Sequence, residues 1–191
     1  MLRPGYAYVE SVGGMRAGGT VTLVLAGGVH VLVDTGGPAE RQLIVDALGR
    51  RGLAPEQIDY VVCTHGHTDH VGNNSLFPGA TFFMGEDRSV GDRFESLDFS
   101  LGPVTVADGV QIIATPGHTS EDISVLVTTE RGVVAIVGDL FENADDDRDQ
   151  SWVRFSRDPP RQRRHRAEVL SVADLIVPGH GGMFVATTNR A

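Results

Sequence analysis

The chain has 191 residues, 41% of them hydrophobic, which is typical of one domain with a substantial core, and we expect a single domain over residues 1–191. Its formal net charge of −9 argues against a broad cationic surface for nucleic acid, and its single cysteine, Cys63, excludes an internal disulfide framework. With no apolar stretch of roughly 18 residues and no recognisable secretory leader, we expect an intracellular protein, cytoplasmic or also nuclear, that does not enter a membrane.

The first half of the chain predicts a strand hairpin, then a helix, then a buried strand. Gly27-Gly28 separates two β-rich runs, which is a strong signal for a two-residue hairpin turn. A proline opens the predicted helix and a glycine stops it. The predicted elements are strands over residues 20–26 and 29–34, a helix over residues 38–51 and a strand over residues 58–63.

The second half is β-rich, with one helix near its end. The predicted strands cover residues 81–84, 104–106, 111–114, 123–128, 133–137 and 175–177, and the helix covers residues 160–173. Two charged runs fall in this half. We expect the acidic run 142–149 to be a solvated loop and the basic run 161–166 to be an exposed helix face. The alternation of strands and helices fits two mixed sheets with helices outside them, an αββα sandwich.

Residues that bind metal ions are concentrated directly after the predicted strand that ends at Cys63. The segment Thr64-His65-Gly66-His67-Thr68-Asp69-His70 carries three imidazoles and one carboxylate. In a turn after a strand, His65 and His67 can point together, while Asp69 and His70 reach a neighbouring point. Imidazole nitrogens and carboxylate oxygens are ligands that zinc accepts at about 2.0–2.2 Å. The segment therefore predicts a metal site.

Three further candidates each follow a predicted strand, where loops commonly present functional side chains. His118 and His180 both lie in a Pro-Gly-His turn, and Asp139 follows the strand over residues 133–137. Asp34 also closes a strand, but we expect it to support the ligands or a turn rather than to contact a metal.

The remaining histidines and the cysteine have a structural interpretation. His30 lies within a strand and His165 within the basic helix, and neither has ligand-type neighbours. Cys63 adjoins the histidine segment but lies in an apolar strand, so we expect it to be buried and unreactive.

In order along the chain, these motifs resemble the metallo-β-lactamase superfamily. The resemblance implies a fold of the α/β (α+β) class, a four-layer αββα sandwich, with two divalent metal ions at one edge. It implies that His65, His67 and His118 hold one metal, that Asp69, His70 and His180 hold the other, and that Asp139 bridges them. Zinc suits this mixed ligand set, and iron and manganese also accept it.

The resemblance also implies a hydrolase that uses a metal-activated hydroxide, with Asp69 and Asp139 as the catalytic carboxylates. A closer likeness, to a small animal member of the superfamily, rests on stretches such as Leu76-Phe77-Pro78-Gly79-Ala80 and Val137-Gly138-Asp139-Leu140-Phe141-Glu142. That likeness implies an endoribonuclease in 3′-end processing of histone pre-mRNA.

Two alternatives to the ribonuclease stay open. The same site can serve a glyoxalase II-like thioesterase or another small-molecule hydrolase, so the substrate is RNA or a small thioester or ester. A non-catalytic metal-binding module is the alternative of another class. Seven ligands shared by two metals leave a position for water, which favours catalysis.

Any RNA contact would need a local cationic patch in a chain of this charge. Basic residues cluster only in residues 151–166, so Arg154, Arg157 and the basic run 161–166 are the candidate RNA contacts. Trp152 is interpreted as a core or lid residue, with stacking on a base as the alternative. The sequence predicts no oligomeric state.

Overall fold

The computed structural model describes residues 1–186, apart from the side chain of Asp147, and in that range the strands form two six-stranded sheets and one two-stranded hairpin. The part of the predicted single domain that covers residues 187–191 lies outside the described residues. The hairpin pairs β1 (Tyr6–Val9) with β2 (Met15–Gly18).

The first large sheet runs, in spatial order, through β3 (Thr22–Ala26), β4 (Val29–Val33), β5 (Tyr60–Cys63), β6 (Thr81–Met84), β7 (Asp87–Val90) and β8 (Arg93–Ser96). The second sheet consists of β9 (Val104–Ala107), β10 (Val110–Ala114), β11 (Ile123–Thr129), β12 (Gly132–Gly138), β13 (Leu175–Pro178) and β14 (Phe184–Val185), also adjacent in this order. The α-helices are α1 (Arg41–Gly49), α2 (Thr68–Val71), α3 (Asp146–Asp149) and α4 (Pro159–Val172).

The layers follow from the alternation of side chains along the central strands. Successive residues of a strand point to opposite faces of its sheet. Val31 and Val33 of β4 lie in the core between the two sheets, whereas Leu32 packs with Ile44 and Leu48 of α1 on the outer face. The first sheet is therefore covered by a helix on one side and by the second sheet on the other.

The second sheet repeats this arrangement. Ile136 of β12 lies in the core between the sheets, while its neighbours Ala135 and Val137 pack with Val169 of α4. The order of layers is helix, sheet, sheet, helix, and the predicted αββα sandwich is confirmed. Within residues 1–186, no helix has the length and apolar character to cross a membrane.

Most predicted elements are present with small shifts at their ends. The Gly27-Gly28 hairpin is confirmed, since Ala26 pairs with Val29 and the two glycines have φ values of 59° and 89°. The predicted helix over residues 38–51 begins as a 3₁₀ turn, Pro38–Glu40, before it continues as α1. The elements that the sequence did not predict are β1, β2, β7, β8, β14, α2 and α3.

The two charged runs are less exposed than predicted. In the acidic run, Glu142 and Asp146 are buried, with exposed fractions of 6% and 1%. In the basic run, His165 and Arg166 are buried, because α4 turns them inward with Val169 at helical spacing. The Arg166 guanidinium donates to both carboxylate oxygens of Asp146 at 2.7 and 3.0 Å. This buried ion pair is the physical reason why the predictions of a solvated loop and an exposed face were wrong for Asp146 and Arg166.

The sheet topology brings the candidate residues to one edge. β4, β5 and β6 are parallel to one another, as are β12 and β13. Parallel strands end at the same edge of their sheet, so the loops after them meet there. Asp34 follows β4, the histidine segment follows β5, Asp139 follows β12 and His180 follows β13.

Candidate metal centre

Seven candidate ligands from four separate loops converge at this edge between the two sheets. Five of them are buried, with exposed fractions between 0% and 8%: His65, His70, His118, Asp139 and His180. Asp69 is partly buried and His67 is exposed. Their nitrogen and oxygen atoms form two groups, one around His65, His67 and His118 and the other around Asp69, His70 and His180.

The first group has the spacing of a metal coordination shell. His67 Nδ1 lies 2.9 Å from His65 Nε2 and 3.1 Å from His118 Nε2. Asp139 Oδ2 lies 3.5 Å from His65 Nε2 and 3.3 Å from His118 Nε2. Four ligands in a tetrahedron with bonds of about 2.1 Å are separated by about 3.4 Å. The four atoms therefore fit around one cation.

The second group adjoins the first. Asp139 Oδ1 lies 3.2 Å from His70 Nε2 and 3.3 Å from His180 Nε2. Asp69 Oδ2 lies 3.8 Å from both of these nitrogens. These separations also match the edges of a coordination shell. Asp139 Oδ1 therefore faces the second group, while Oδ2 faces the first group and also lies 3.3 Å from His180 Nε2.

Two buried atoms in this second group have no hydrogen-bond partner among the described residues. They are His70 Nε2 and Asp139 Oδ1, which face each other. A buried polar atom without a partner costs on the order of 1–3 kcal/mol. A cation between the two atoms would satisfy both, so these residues fit a metal.

Asp34 orients two of the histidines from behind. Its Oδ2 accepts from His70 Nδ1 at 2.7 Å and from the Thr64 hydroxyl at 2.8 Å. The same hydroxyl lies 3.1 Å from His65 Nδ1 and can accept its proton. With their Nδ1 atoms engaged, His65 and His70 present the Nε2 lone pair to the centre. Asp34 thus lies behind the candidate ligands, and its supporting role stays a prediction.

The charges of the centre are organised around Asp139. Burial raises its carboxyl pKa, but the neighbouring His70 and His65 outweigh burial and hold that pKa well below its ordinary value. Burial lowers the pKa of His70 and His180, yet Asp139 raises the pKa of His70 well above its ordinary value and that of His180 to about 9. Burial lowers the pKa of His65 well below its ordinary value, which keeps this ring neutral. Asp139 thus attracts positive charge, either protons or a cation in their place.

Sequence comparison assigns the chain to a family. The profile of the Metallo-beta-lactamase superfamily matches residues 15–180. The chain belongs to this superfamily. Metallo-beta-lactamase domain-containing protein 1 of Xenopus laevis is 44% identical over 183 residues, which cover 93% of this chain and 77% of the relative. The human protein of the same name is 42% identical over 217 residues, covering 96% of this chain and 80% of the relative.

A solved structure supports the fold. A metallo-beta-lactamase of Pseudomonas aeruginosa in its mono-zinc form superposes with a TM-score of 0.68 at 19% identity, over 95% of this chain and 84% of that chain. The predicted resemblance is confirmed, and the chain is a metal-dependent hydrolase of the metallo-beta-lactamase superfamily.

Glu142 is a site residue of this superfamily member that sequence analysis missed. Its carboxyl oxygens lie 3.9 Å from His118 Nδ1 and from His180 Nε2. Burial and the charge of Asp139 raise the pKa of Glu142 to about 8. Its position three residues after Asp139 could have indicated that Glu142 lies at the centre. Glu142 also begins the acidic run, however, and that run was predicted to be a solvated loop.

Helix α4 braces the loops that carry His118 and Asp139. Gln162 is fully buried and its side-chain amide donates to the Asp139 carbonyl at 2.9 Å. His165 Nδ1 lies 2.6 Å from the Pro116 carbonyl, in the loop before His118. The structural role predicted for His165 is confirmed by this contact. His30 is likewise structural, with Nδ1 2.8 Å from the Gln57 carbonyl.

The three predicted substrate residues occupy different positions. Trp152 is 0% exposed and its ring packs against the Arg166 guanidinium, 4.7 Å from the ring centroid. This burial supports the predicted core role and contradicts stacking on a base, because no ring face is open. Arg154 is exposed and lies over Phe155. Arg157 is exposed, and its backbone amide donates to the His118 carbonyl at 3.1 Å, so it flanks the centre.

Cys63 is 0% exposed. Burial and the charge of Asp34 raise the pKa of its thiol to about 12. The predicted burial is confirmed, and the raised pKa disfavours the thiolate, which is the reactive form of cysteine.

Proposed function

We propose that this chain is a dinuclear hydrolase that holds two divalent cations and cleaves a small ester or thioester. One observation carries the proposal: Asp139 lies between the two groups of candidate ligands, with Oδ2 3.3–3.5 Å from the His65 and His118 nitrogens and Oδ1 3.2–3.3 Å from the His70 and His180 nitrogens. A carboxylate in this position could hold a cation on each side. Because the donors are imidazole nitrogens and carboxylate oxygens, zinc is the proposed metal, and iron and manganese are accepted by the same set.

The cations would acidify a shared water, so that hydroxide is available near neutral pH, and would polarise the oxygen of the attacked group. The protein side chains contribute position and proton transfer. Asp69, whose side chain is 22% exposed, borders the centre on its open side. We propose that its carboxylate orients the attacking water and accepts its proton.

Surface charge favours a small substrate over RNA. The opening beside the first group is a cavity of about 200 Å³ lined by His65, His67, Met84, Thr119 and Glu121 among others. Glu121 is exposed, and it repels a phosphate backbone, as does the net charge of −9. Neither feature hinders a neutral ester or thioester.

Single-stranded RNA is the second candidate, supported by Arg157. This exposed arginine adjoins His118 through its backbone, so its guanidinium is available for a phosphate near the first group. In this case Arg157→Ala should raise the KM for RNA and weaken its salt dependence while metal content stays unchanged. Arg131→Ala, an exposed arginine in the turn between β11 and β12, is the control.

The test combines metal binding with hydrolysis. We expect zinc titration of metal-depleted protein to reach two equivalents per chain, and His118→Ala and His180→Ala each to lose about one. His30→Ala should keep both, because His30 contacts the Gln57 carbonyl and not the centre. The zinc-loaded protein should hydrolyse an acetyl aryl thioester. Full zinc loading with no hydrolysis of the thioester or of RNA would favour the non-catalytic binding module instead.

A further inference from the structure

An apolar groove lies on the outer face of the first sheet, beside the helix that covers the rest of that face. Its apolar lining consists of Phe82, Met84 and Phe94, with the buried Cys63 beneath them, around a cavity of about 290 Å³. These residues share one face because the strands are in register: Cys63 pairs with Met84, Phe82 with Ser89, and Ser89 with Phe94. We call this surface the apolar groove.

The apolar groove adjoins the cavity beside the metal centre, because one residue, Met84, lines both. Met84 is the last residue of β6 and is 45% exposed. It lines the apolar groove, and it also lines the cavity that contains His65 and His67. A molecule that has its reacting group at these histidines can therefore continue past Met84 into the groove without leaving the surface.

The side chains that line the apolar groove favour a hydrocarbon over an anionic group. Phe94 is 66% exposed and Met84 is 45% exposed, so both offer apolar surface that a hydrocarbon would cover. In residues 1–186, no arginine or histidine lines the groove, and its one ionisable side chain besides Cys63 is the carboxylate of Asp87. An anionic occupant is disfavoured by this charge, whereas an alkyl chain is not.

We propose that the apolar groove binds the hydrocarbon arm of an acyl ester or thioester whose carbonyl carbon lies at the metal centre. This inference rests on the proposed function and specifies its substrate class. In the reaction, the oxygen of water forms a bond to the carbonyl carbon and the carbon–sulfur or carbon–oxygen bond breaks. The products are a carboxylic acid, which carries the alkyl arm, and a thiol or alcohol, which takes up the proton.

The kinetic test is a series of aryl thioesters with acetyl, hexanoyl and decanoyl groups, assayed with zinc-loaded protein. We expect kcat/KM to rise by about two- to fourfold for each methylene that enters the groove. Phe94→Ser should lower kcat/KM for the decanoyl substrate about tenfold and leave the acetyl substrate unchanged. Phe94→Leu should retain most of the dependence on length. Val90→Ser is the matched control, because Val90 is 49% exposed and points to the opposite face of β7.

A binding measurement separates failure of the groove from failure of the proposed function. Calorimetric titration of zinc-loaded protein with acetate and decanoate should give tighter binding of decanoate, with about a tenfold loss in Phe94→Ser. If decanoate binds in this way but no thioester is hydrolysed, the groove assignment stands and the proposed function is wrong. If all three thioesters are hydrolysed equally and both acids bind equally, the groove assignment is wrong. A change from dimer to monomer in Phe94→Ser, with no effect on chain-length dependence, would also overturn it, because a second copy would then occupy the groove.

Discussion

Replacement of Asp34 by asparagine should weaken one of the two proposed metal sites more than the other. Asp34 is 2% exposed and accepts three hydrogen bonds at 2.7–2.8 Å, from His70 Nδ1, the Thr64 hydroxyl and the Thr64 amide. An amide can replace one carboxylate oxygen, but its NH₂ group would face donors at the other position. Whichever way the amide is turned, at least one of these donors loses its acceptor and the bond to His70 loses its charged acceptor, so His70 Nε2 is held less firmly towards the second group.

The magnitude follows from the charged hydrogen bonds that are lost. A buried hydrogen bond to a charged group contributes about 1.5–3 kcal/mol, and loss of a group that orients a metal ligand typically lowers metal affinity by about 10–100-fold. We expect metal-free Asp34→Asn to be destabilised by about 2–3 kcal/mol. We expect the site that contains Asp69, His70 and His180 to lose about 10–100-fold in zinc affinity. His67 and His118, which Asp34 does not contact, should hold the other zinc with a smaller loss.

The measurement is competition of each variant with a zinc chelator, which gives one dissociation constant per site, together with urea unfolding of the metal-free protein. Asp59→Asn is the control, because Asp59 also accepts from a histidine, through the His30 amide at 2.8 Å, but is exposed and distant from the centre. Equal weakening of both sites would mean that Asp34 acts on the whole centre and not through His70. Unchanged zinc binding would refute the reasoning altogether.

Three further predictions concern neighbouring positions. Asp139→Asn should lower turnover by more than the ~10–100-fold typical of a supporting group, with an unchanged circular dichroism spectrum; retained turnover at full metal content would exclude the bridge. Gly117→Ala should destabilise the fold by at least ~3 kcal/mol in urea unfolding, because Gly117 has φ 156° and a Cβ there would lie 2.4 Å from Gln162 Cα, whereas Gly79→Ala, with open space, should cost little. The folded-state pKa of Glu142, about 8, lies above the ordinary 4.5, so its contribution to stability is complete below about pH 4.5 and is lost as pH rises through 8. Metal-free Glu142→Gln should therefore gain stability relative to the wild type between about pH 5 and pH 9, by ~3 kcal/mol in thermal unfolding, and parallel pH profiles would contradict this.

The fold was largely predictable because its central strands carry strong local signals. The Gly27-Gly28 turn and the apolar run before Thr64 are decided by neighbouring residues alone. The hairpin formed by β7 and β8 was not predictable, since Asp87–Val90 and Arg93–Ser96 are largely polar and become strands only by pairing with β6.

The candidate centre shows the same division. Its candidate ligands were recognisable because histidine and aspartate at strand ends form an ordered motif. Glu142 and Gln162 were not, because their positions depend on how α4 and the loop after β12 pack together. An acidic run is normally solvated. This run packs onto the fold because Asp146 forms a buried ion pair with Arg166. Likewise, the apolar groove arises from side chains on three strands and has no signature along the sequence.

The seven candidate ligands are divided between the two sheets. His65, His67, Asp69 and His70 extend from the first sheet, whereas His118, Asp139 and His180 extend from the second. Each proposed cation would therefore be coordinated by residues from both sheets and would connect the two halves of the sandwich. Between β8 and β9 the chain passes from one sheet to the other. This connection includes Leu101, whose side chain is exposed, and Gly102, whose φ is 117°. A chain cut at this connection would contain two fragments that each carry an incomplete ligand set, and zinc, by binding only the assembled form, would favour their association.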